Sequence, residues 1–329
     1  MASPNSCPNL ELARRFAGKP VLVTGGAGFI GSHLCRALVE GGAEVRVLDD
    51  LSSGLRSSLA PSVQFIEGDV ADKCVVRKAV AGCTHVFHLA ALVSVPLSIE
   101  QPDLCFRTNT TGTEVVLGAA VREGVQGVVH ASSASVYGRR PMLPSSEDDA
   151  VHCASPYAAT KAAGESLIQA FAQGYGLHAT SLRLFNVFGS GQDPKGAYSA
   201  AISAFVDAAR SRRAPTVYGD GTQTRDFVPV AEVVQAFLRA ADADAGAAGE
   251  VFNVGLGERV TILEVIEMIG KAAGFTAPPQ FAPRRAGDVD HSWADLTKIR
   301  RVLAYAPTTP LAPALAAFVR GECAAAVRA

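Results

Sequence analysis

Tyr157 and Lys161 stand four residues apart in SPYAATK, the spacing that puts two side chains on one face of an α-helix. An ammonium beside a phenol favours the phenolate, so the pair predicts a tyrosine lowered from its ordinary pKa of about 10 toward a usable general base. Upstream, the apolar run Gly127–Ala131 ends in Ser132-Ser133-Ala134-Ser135, which could deliver a hydroxyl to the same place. Tyr-x-x-x-Lys is common on exposed helix faces and carries little alone. Its weight comes from a second motif. PVLVT at 20–24 runs into Gly25-Gly26-Ala27-Gly28-Phe29-Ile30-Gly31 and then a helical pattern over Ser32–Glu40. Strand, glycine loop and helix in that order form a dinucleotide fingerprint: the glycines let backbone approach a pyrophosphate, and the helix start presents unpaired N–H groups. Asp49 ends the next apolar run eighteen residues after Gly31, where a carboxylate accepts hydrogen bonds from adenosine ribose hydroxyls. A carboxylate there repels a 2′-phosphate, and no arginine directly follows it, which favours NAD over NADP.

The elements that must carry these residues alternate along the chain. Short β-branched runs at PVLVT, EVRVL (44–48), Val63–Ile66, His85–Leu89, Gly127–Ala131 and Ala179–Phe185 are separated by segments with helical spacing of Ala, Leu and Val. Strands so apolar predict burial on both faces, hence an α/β fold with a Rossmann-type, doubly wound parallel sheet. Ser155 and Pro156 read as N-cap and first position of a long helix reaching Tyr175. After about residue 186 the pattern loosens into short elements mixed with Pro and Gly. The division expected is an NAD-binding domain over 1–183, with a segment near 226–258 returning to it, and a smaller mixed α/β substrate domain over 184–329. The Ala-rich stretch Ala240–Ala248 reads as a solvated helix end or loop.

Composition excludes other classes. With 329 residues, 48% apolar and 19% charged, the chain is globular and of about two-domain size. Thirty Lys and Arg against thirty-one Asp and Glu leave a net charge of -1, which supplies no broad field for nucleic acid. Seven scattered cysteines without a Cys-x-x-Cys pair make a poor disulfide framework and suit a reducing compartment. No run approaches a membrane span or a signal core, so a cytoplasmic protein with no membrane partner is expected. The seven histidines show no ligand spacing on one helix face, and no metal site is expected.

TGGAGFIGSHL, HLAA, SSASVYG, SPYAATK, RLFNVFG and RRAGDVDHSWAD together resemble the extended short-chain dehydrogenase/reductase family, and within it the nucleotide-sugar 4-epimerases, over about residues 19–305. The resemblance implies that NAD stays bound while the sugar C4 hydroxyl is oxidised and then re-reduced on the other face. It makes Tyr157 the group that removes the C4 proton, Ser133 its relay, and Lys161 the residue that holds the nicotinamide ribose and tunes Tyr157. It places Gly25, Gly28, Phe29, Ile30 and Gly31 at the pyrophosphate and Asp49 at the adenosine ribose. Asp69 and Val70 fall beside the adenine, Leu89, Ala90 and Ala91 along the cofactor ribose and phosphates, and Asn109 near the nicotinamide. Ser94, Ser133 and Ser135 fall near the sugar. Asn186, Arg225 and Arg285 match positions that grip the diphosphate, Tyr218 one near the uracil, and Asp288 lies in the same substrate segment. The helices around Thr111–Glu123 and Pro156–Tyr175 resemble those of a dimer interface, so the resemblance implies a homodimer.

Three positions bear on the reaction and the sugar. Related dehydratases and decarboxylases carry Asp-Glu or Ser-Glu after the relay hydroxyl; here Ala134 and Ser135 stand there, and neither moves a proton on carbon. A dehydratase that borrows Glu100 or Cys105 remains an alternative. Ser292 matches the position that abuts the sugar C2 substituent, and a small residue there implies acceptance of UDP-GlcNAc and UDP-GalNAc as well as UDP-Glc and UDP-Gal. Epimerases of UDP-glucuronate, the other alternative, resemble one another in an arginine where this chain has Asp193, with Lys195 nearby weakening that argument. A non-catalytic NAD-binding protein is the third reading, and the intact Ser133, Tyr157 and Lys161 oppose it.

Overall fold

A computed structural model describes residues 8–138, 143–192, 201–284 and 289–321. Its centre is a seven-stranded parallel sheet built from β1 (Pro20–Thr24), β2 (Glu44–Asp49), β3 (Gln64–Glu67), β4 (His85–His88), β5 (Gly127–Ser133), β6 (Ala179–Leu184) and β7 (Val251–Val254). The strand order is β7-β6-β5-β4-β1-β2-β3, so the winding reverses between β1 and β4. Successive side chains of one strand feed opposite cores. Val21, Val23, Phe87 and Val129 join the cluster under α1 (Phe29–Glu40) and the later helix α5 (Val230–Ala241). Leu22, Val86 and Val128 join the cluster under α2 (Lys73–Val80), α3 (Gly112–Glu123) and α4 (Pro156–Tyr175). That alternation is the period of two of an extended chain, and burial on both faces explains why the strands lack a polar side.

Local chemistry sets several boundaries. Ser155 caps α4 by accepting from Ala158 N–H, Pro156 follows, and Gly176 ends the helix in a left-handed conformation at φ +67°. α1 begins at Phe29, three residues before the apolar pattern suggests, because Gly28 adopts an extended conformation and serves as N-cap. β5 runs on to Ser133, two residues beyond the apolar run, since Ser132 and Ser133 pair with Arg183 and Leu184 of β6. The chain from Arg107 to Thr111 forms a π-helical turn that no pattern in the sequence signals. The Ala-rich stretch is a helix end and loop whose Asp242, Asp244, Ala245 and Gly246 are exposed, while Ala240, Ala241 and Ala247 are packed into the protein.

Beyond β6 the chain makes short two-stranded pairings: Asn186–Phe188 with Phe227–Pro229, Thr224–Arg225 with Val260–Thr261, and Thr216–Tyr218 with Gln280–Ala282. The helices Ala201–Arg210, Ile262–Ala273 and Leu311–Arg320 lie among them. Among the described residues no helix is long and apolar enough to cross a membrane.

Candidate active site

The candidate residues of the first 190 positions gather where a doubly wound sheet binds ligands, at the carboxyl ends of its strands. Gly25 follows β1, Asp49 ends β2, Asp69 follows β3, Leu89, Ala90 and Ala91 follow β4, Ser133 and Ser135 lie at the end of β5, and Asn186 follows β6. At the first of these ends the backbone packs too closely to admit side chains. Gly25 has φ +69°, and a Cβ there would lie 2.6 Å from Ala90 N. A Cβ on Gly31 would overlap the Gly25 carbonyl. The first turn of α1 has no side-chain cap on its N–H groups, unlike α2 and α4, whose first turns are capped by Asp72 and Ser155. A cradle without side chains, facing uncapped donors, fits the pyrophosphate of a dinucleotide.

Asp49 is buried, with Oδ2 accepting from Ala27 N–H at 2.9 Å and Oδ1 from Leu51 N–H at 2.9 Å. Burial raises its pKa, and these two donors oppose the rise. The carboxylate therefore braces the glycine loop while each oxygen keeps a further lone pair for a ribose hydroxyl. Asp69 pairs with Arg107 at 2.5 Å, and the Val70 side chain is buried against Gly112. Asn109 is also spent inside the protein: Oδ1 accepts from Leu92 N–H at 2.7 Å and Nδ2 donates to Leu92 O at 3.1 Å and Thr160 Oγ1 at 2.9 Å. Its side chain holds the loop after β4.

Tyr157 and Lys161 share the buried face of α4, as their spacing requires, beside Ser133 at the end of β5. Burial raises the Tyr157 phenol above its usual value, a hydrogen bond with Ser133 pulls it back, and the Cys105 thiol works with burial. Lys161 Nζ lies 5.9 Å from the centre of the tyrosine ring and donates to Ala131 O at 2.7 Å. Burial draws Lys161 itself down to about 8. Ser133 Oγ accepts from Ser135 N–H at 3.1 Å, which orients its own proton outward from that turn. Ser135 Oγ is buried without a hydrogen-bond partner among the described residues, a polar atom left over for a ligand.

Of the substrate residues that can be placed, Arg225 and Ser292 lie on one small framework. Thr224 N–H donates to Asp290 O at 3.0 Å, Ser292 N–H donates to Thr224 O at 3.1 Å, and Arg225 Nη1 donates to Thr224 O at 2.9 Å. Asp226, fully buried, accepts from Leu256, Gly257 and Ala294 N–H. Burial pushes its carboxyl up to about 6 against those three donors. Asp226 thus locks Arg225 and the extended segment bearing Ser292 together, a role that a carboxylate beside an arginine in RDFVPV could have signalled. Tyr218 is 37% exposed on its short strand. Ser94 N-caps the helix Val95–Glu100 by accepting from Leu97 N–H, so its hydroxyl is engaged. Asn186 is exposed. Arg285, Asp288, Asp193 and Lys195 lie outside the described residues.

A glycine cradle at the switch point of a parallel sheet, an acid at the end of its second strand and a buried Ser-Tyr-Lys group define a dinucleotide-dependent enzyme that moves hydride at a carbinol carbon. The profile of the NAD dependent epimerase/dehydratase family matches residues 21–255, and the chain belongs to that family as an NAD-dependent nucleotide-sugar epimerase. It is 40% identical over 305 residues to the UDP-glucose 4-epimerase of Mycolicibacterium smegmatis, covering 91% of this chain and 96% of that protein. Among solved structures it is similar to the UDP-N-acetylglucosamine 4-epimerase of Methanobrevibacter ruminantium in complex with UDP-N-acetylmuramic acid, at 35% identity and TM-score 0.88, covering 92% of this chain and 98% of the other. It is likewise similar to the Thermus thermophilus UDP-glucose 4-epimerase in complex with NAD, at 36% identity and TM-score 0.84, covering 94% and 100%.

Proposed function

We propose that the enzyme interconverts UDP-GlcNAc and UDP-GalNAc, and also UDP-Glc and UDP-Gal, through a 4-keto sugar. When bound, NAD supplies the acceptor and later the donor of the C4 hydride. Tyr157 takes the C4 hydroxyl proton and returns it, Ser133 bridges phenol and substrate, and Lys161 holds the nicotinamide ribose. Arg225 and Asn186 serve the diphosphate and Tyr218 the uracil. Ala134 and Ser135 carry no group that titrates near neutrality, which supports inversion at C4 rather than elimination or decarboxylation.

The observation that carries the choice of sugar is Ser292, a small side chain on an extended segment tied by its N–H to the carbonyl of Thr224, the neighbour of Arg225. A serine leaves room for an N-acetyl group at C2 where an aromatic ring would fill it. Incubating the purified protein with UDP-GlcNAc and following the sugar signals by proton NMR is the test. UDP-GalNAc is expected to appear, while turnover of UDP-glucose alone would remove the argument from Ser292. Ser292→Tyr is expected to lower kcat/KM for UDP-GlcNAc by about 100-fold, the upper range for a steric change in a pocket, and to spare UDP-glucose. Equal losses on both sugars would place Ser292 away from C2.

The same reading includes a homodimer. Ile99, Leu104 and Phe106 are 63%, 40% and 45% exposed on the helices Val95–Glu100 and Pro102–Phe106, which pack against α4. Exposed apolar side chains so grouped are the composition of a protein contact. Light scattering is expected to give twice the 34.1 kDa chain mass, and Ile99→Glu with Phe106→Glu to give one chain mass; a wild-type monomer would end the proposal.

A further inference from the structure

A buried chain of hydrogen bonds joins the glycine-loop strand to the catalytic helix, and its proton positions are forced. Thr113 Oγ1 has one hydrogen, donated to Asn109 O at 2.5 Å. Its contact with His88 Nε2 at 3.0 Å must therefore be one in which Nε2 donates. Burial pulls the His88 pKa down to about 3, with the Lys161 charge adding to the effect, so the ring is neutral and Nδ1 is bare. Nδ1 then accepts from Thr24 Oγ1 at 2.7 Å, and Thr24 Oγ1 in turn accepts from Ala90 N–H at 3.3 Å. At the far end the side chain of Asn109 holds both polar groups of Leu92 and donates to Thr160 Oγ1, which donates to Tyr157 O at 2.8 Å. Thr24, His88, Asn109, Thr113 and Thr160 are each 3% exposed or less. Every donor and acceptor named has one orientation that satisfies its neighbours, so the chain has a single direction from Ala90 N–H to the Asn109 carbonyl.

We propose that His88 is a positioning residue that, as the Nε2–H tautomer bridging Thr24 and Thr113, clamps the loop 89–92 between the glycine turn and the catalytic helix and so slows the release of NAD. The loop it holds follows β4 and lies beside Gly25, whose missing Cβ leaves Ala90 N in close approach. The π-helical turn Arg107–Thr111 supplies the other half of the clamp, since it carries Asn109. A buried donor or acceptor left unpaired is costly, so removing either threonine hydroxyl frees the loop rather than merely weakening one contact.

The inference rests on NAD as resident cofactor, and NAD released on acid denaturation of the wild type checks that premise separately. Thr24→Val and Thr113→Val keep side-chain shape and remove the hydroxyl. Both are expected to release NAD at least tenfold faster, with kcat at saturating NAD within about threefold of wild type, and Thr113→Ser to restore slow release. Release as slow as wild type in both valine variants would overturn the clamp. Nitrogen-15 NMR of histidine-labelled wild-type protein gives a reading independent of any variant: His88 is expected as the Nε2–H tautomer, and an Nδ1–H tautomer overturns the proposal even if the valine variants fail to fold.

Discussion

Tyr157→Phe is expected to lower kcat on UDP-glucose or UDP-GlcNAc by about a thousandfold, within the usual range for loss of a positioned general acid–base. Phenylalanine fills the same buried space on α4, so folding and NAD content should be close to wild type, and KM should change little. The loss is specific because of where the phenol sits. It is raised by burial and drawn down by its hydrogen bond to Ser133, so the proton has a defined partner on the sheet rather than bulk water. Single-turnover kinetics with bound cofactor, read by the absorbance of the reduced nicotinamide, locates the defect: no transient reduction is expected in the variant. A kcat within tenfold of wild type would remove Tyr157 from the chemistry.

The second large effect is on stability. Glu165 and Arg183 form an ion pair buried beneath the site, with Arg183 Nε donating to Oε1 at 2.9 Å and Nη2 to Oε2 at 2.8 Å. Ser132 Oγ donates to Oε1 at 2.6 Å, and the guanidinium lies 4.8 Å from the centre of the Tyr137 ring. Burial disfavours the guanidinium charge, but Glu165 more than compensates and raises its pKa. Glu165→Ala leaves that charge buried without its partner, which costs about 3–5 kcal/mol. For a chain of this size the melting temperature should fall by roughly 10 °C, measured by calorimetry with NAD present. Glu165→Leu combined with Arg183→Met should lose much less, because both charges leave together. A Glu165→Ala protein as stable as wild type would show that water reaches the pair. Ser132 adjoins Ser133, so the single variant should also lower turnover, through a displaced strand end.

Much of the site is legible in the sequence because its logic is local. The glycine turn, Asp49 and the Tyr157–Lys161 spacing each depend on a few residues of chain, and the backbone rules for helix and strand place them without reference to the rest of the fold. The apolar strands announce a doubly wound sheet because burial on both faces excludes polar alternation. How other residues of the site are held depends on what lies across the fold. The resemblance places Asn109 near the nicotinamide, and only the packed fold brings Leu92 and Thr160, seventeen and fifty-one positions away, to its amide. Val70 turns into the core because Gly112 leaves a gap for it. Lys161 stands beside Tyr157 as the spacing requires, but the partner its ammonium finds is Ala131 O on the sheet, and burial is the largest influence on both groups.

The amino-acid sequence by itself determined the class of fold and the preference for NAD, since these follow from strand composition, the glycine turn and Asp49, and it pointed to Tyr157 as the candidate proton-transfer group. Only the tertiary structure decided how those groups are held: the Thr24–His88–Thr113 bridge, the Glu165–Arg183 pair and the three N–H groups on Asp226. Each joins residues tens of positions or more apart or, like Glu165 and Arg183, on neighbouring elements, and each is enforced by the exclusion of water. A buried donor or acceptor must find its partner inside the protein, and which partner is near is a property of the packed layers, not of the order of residues along the chain.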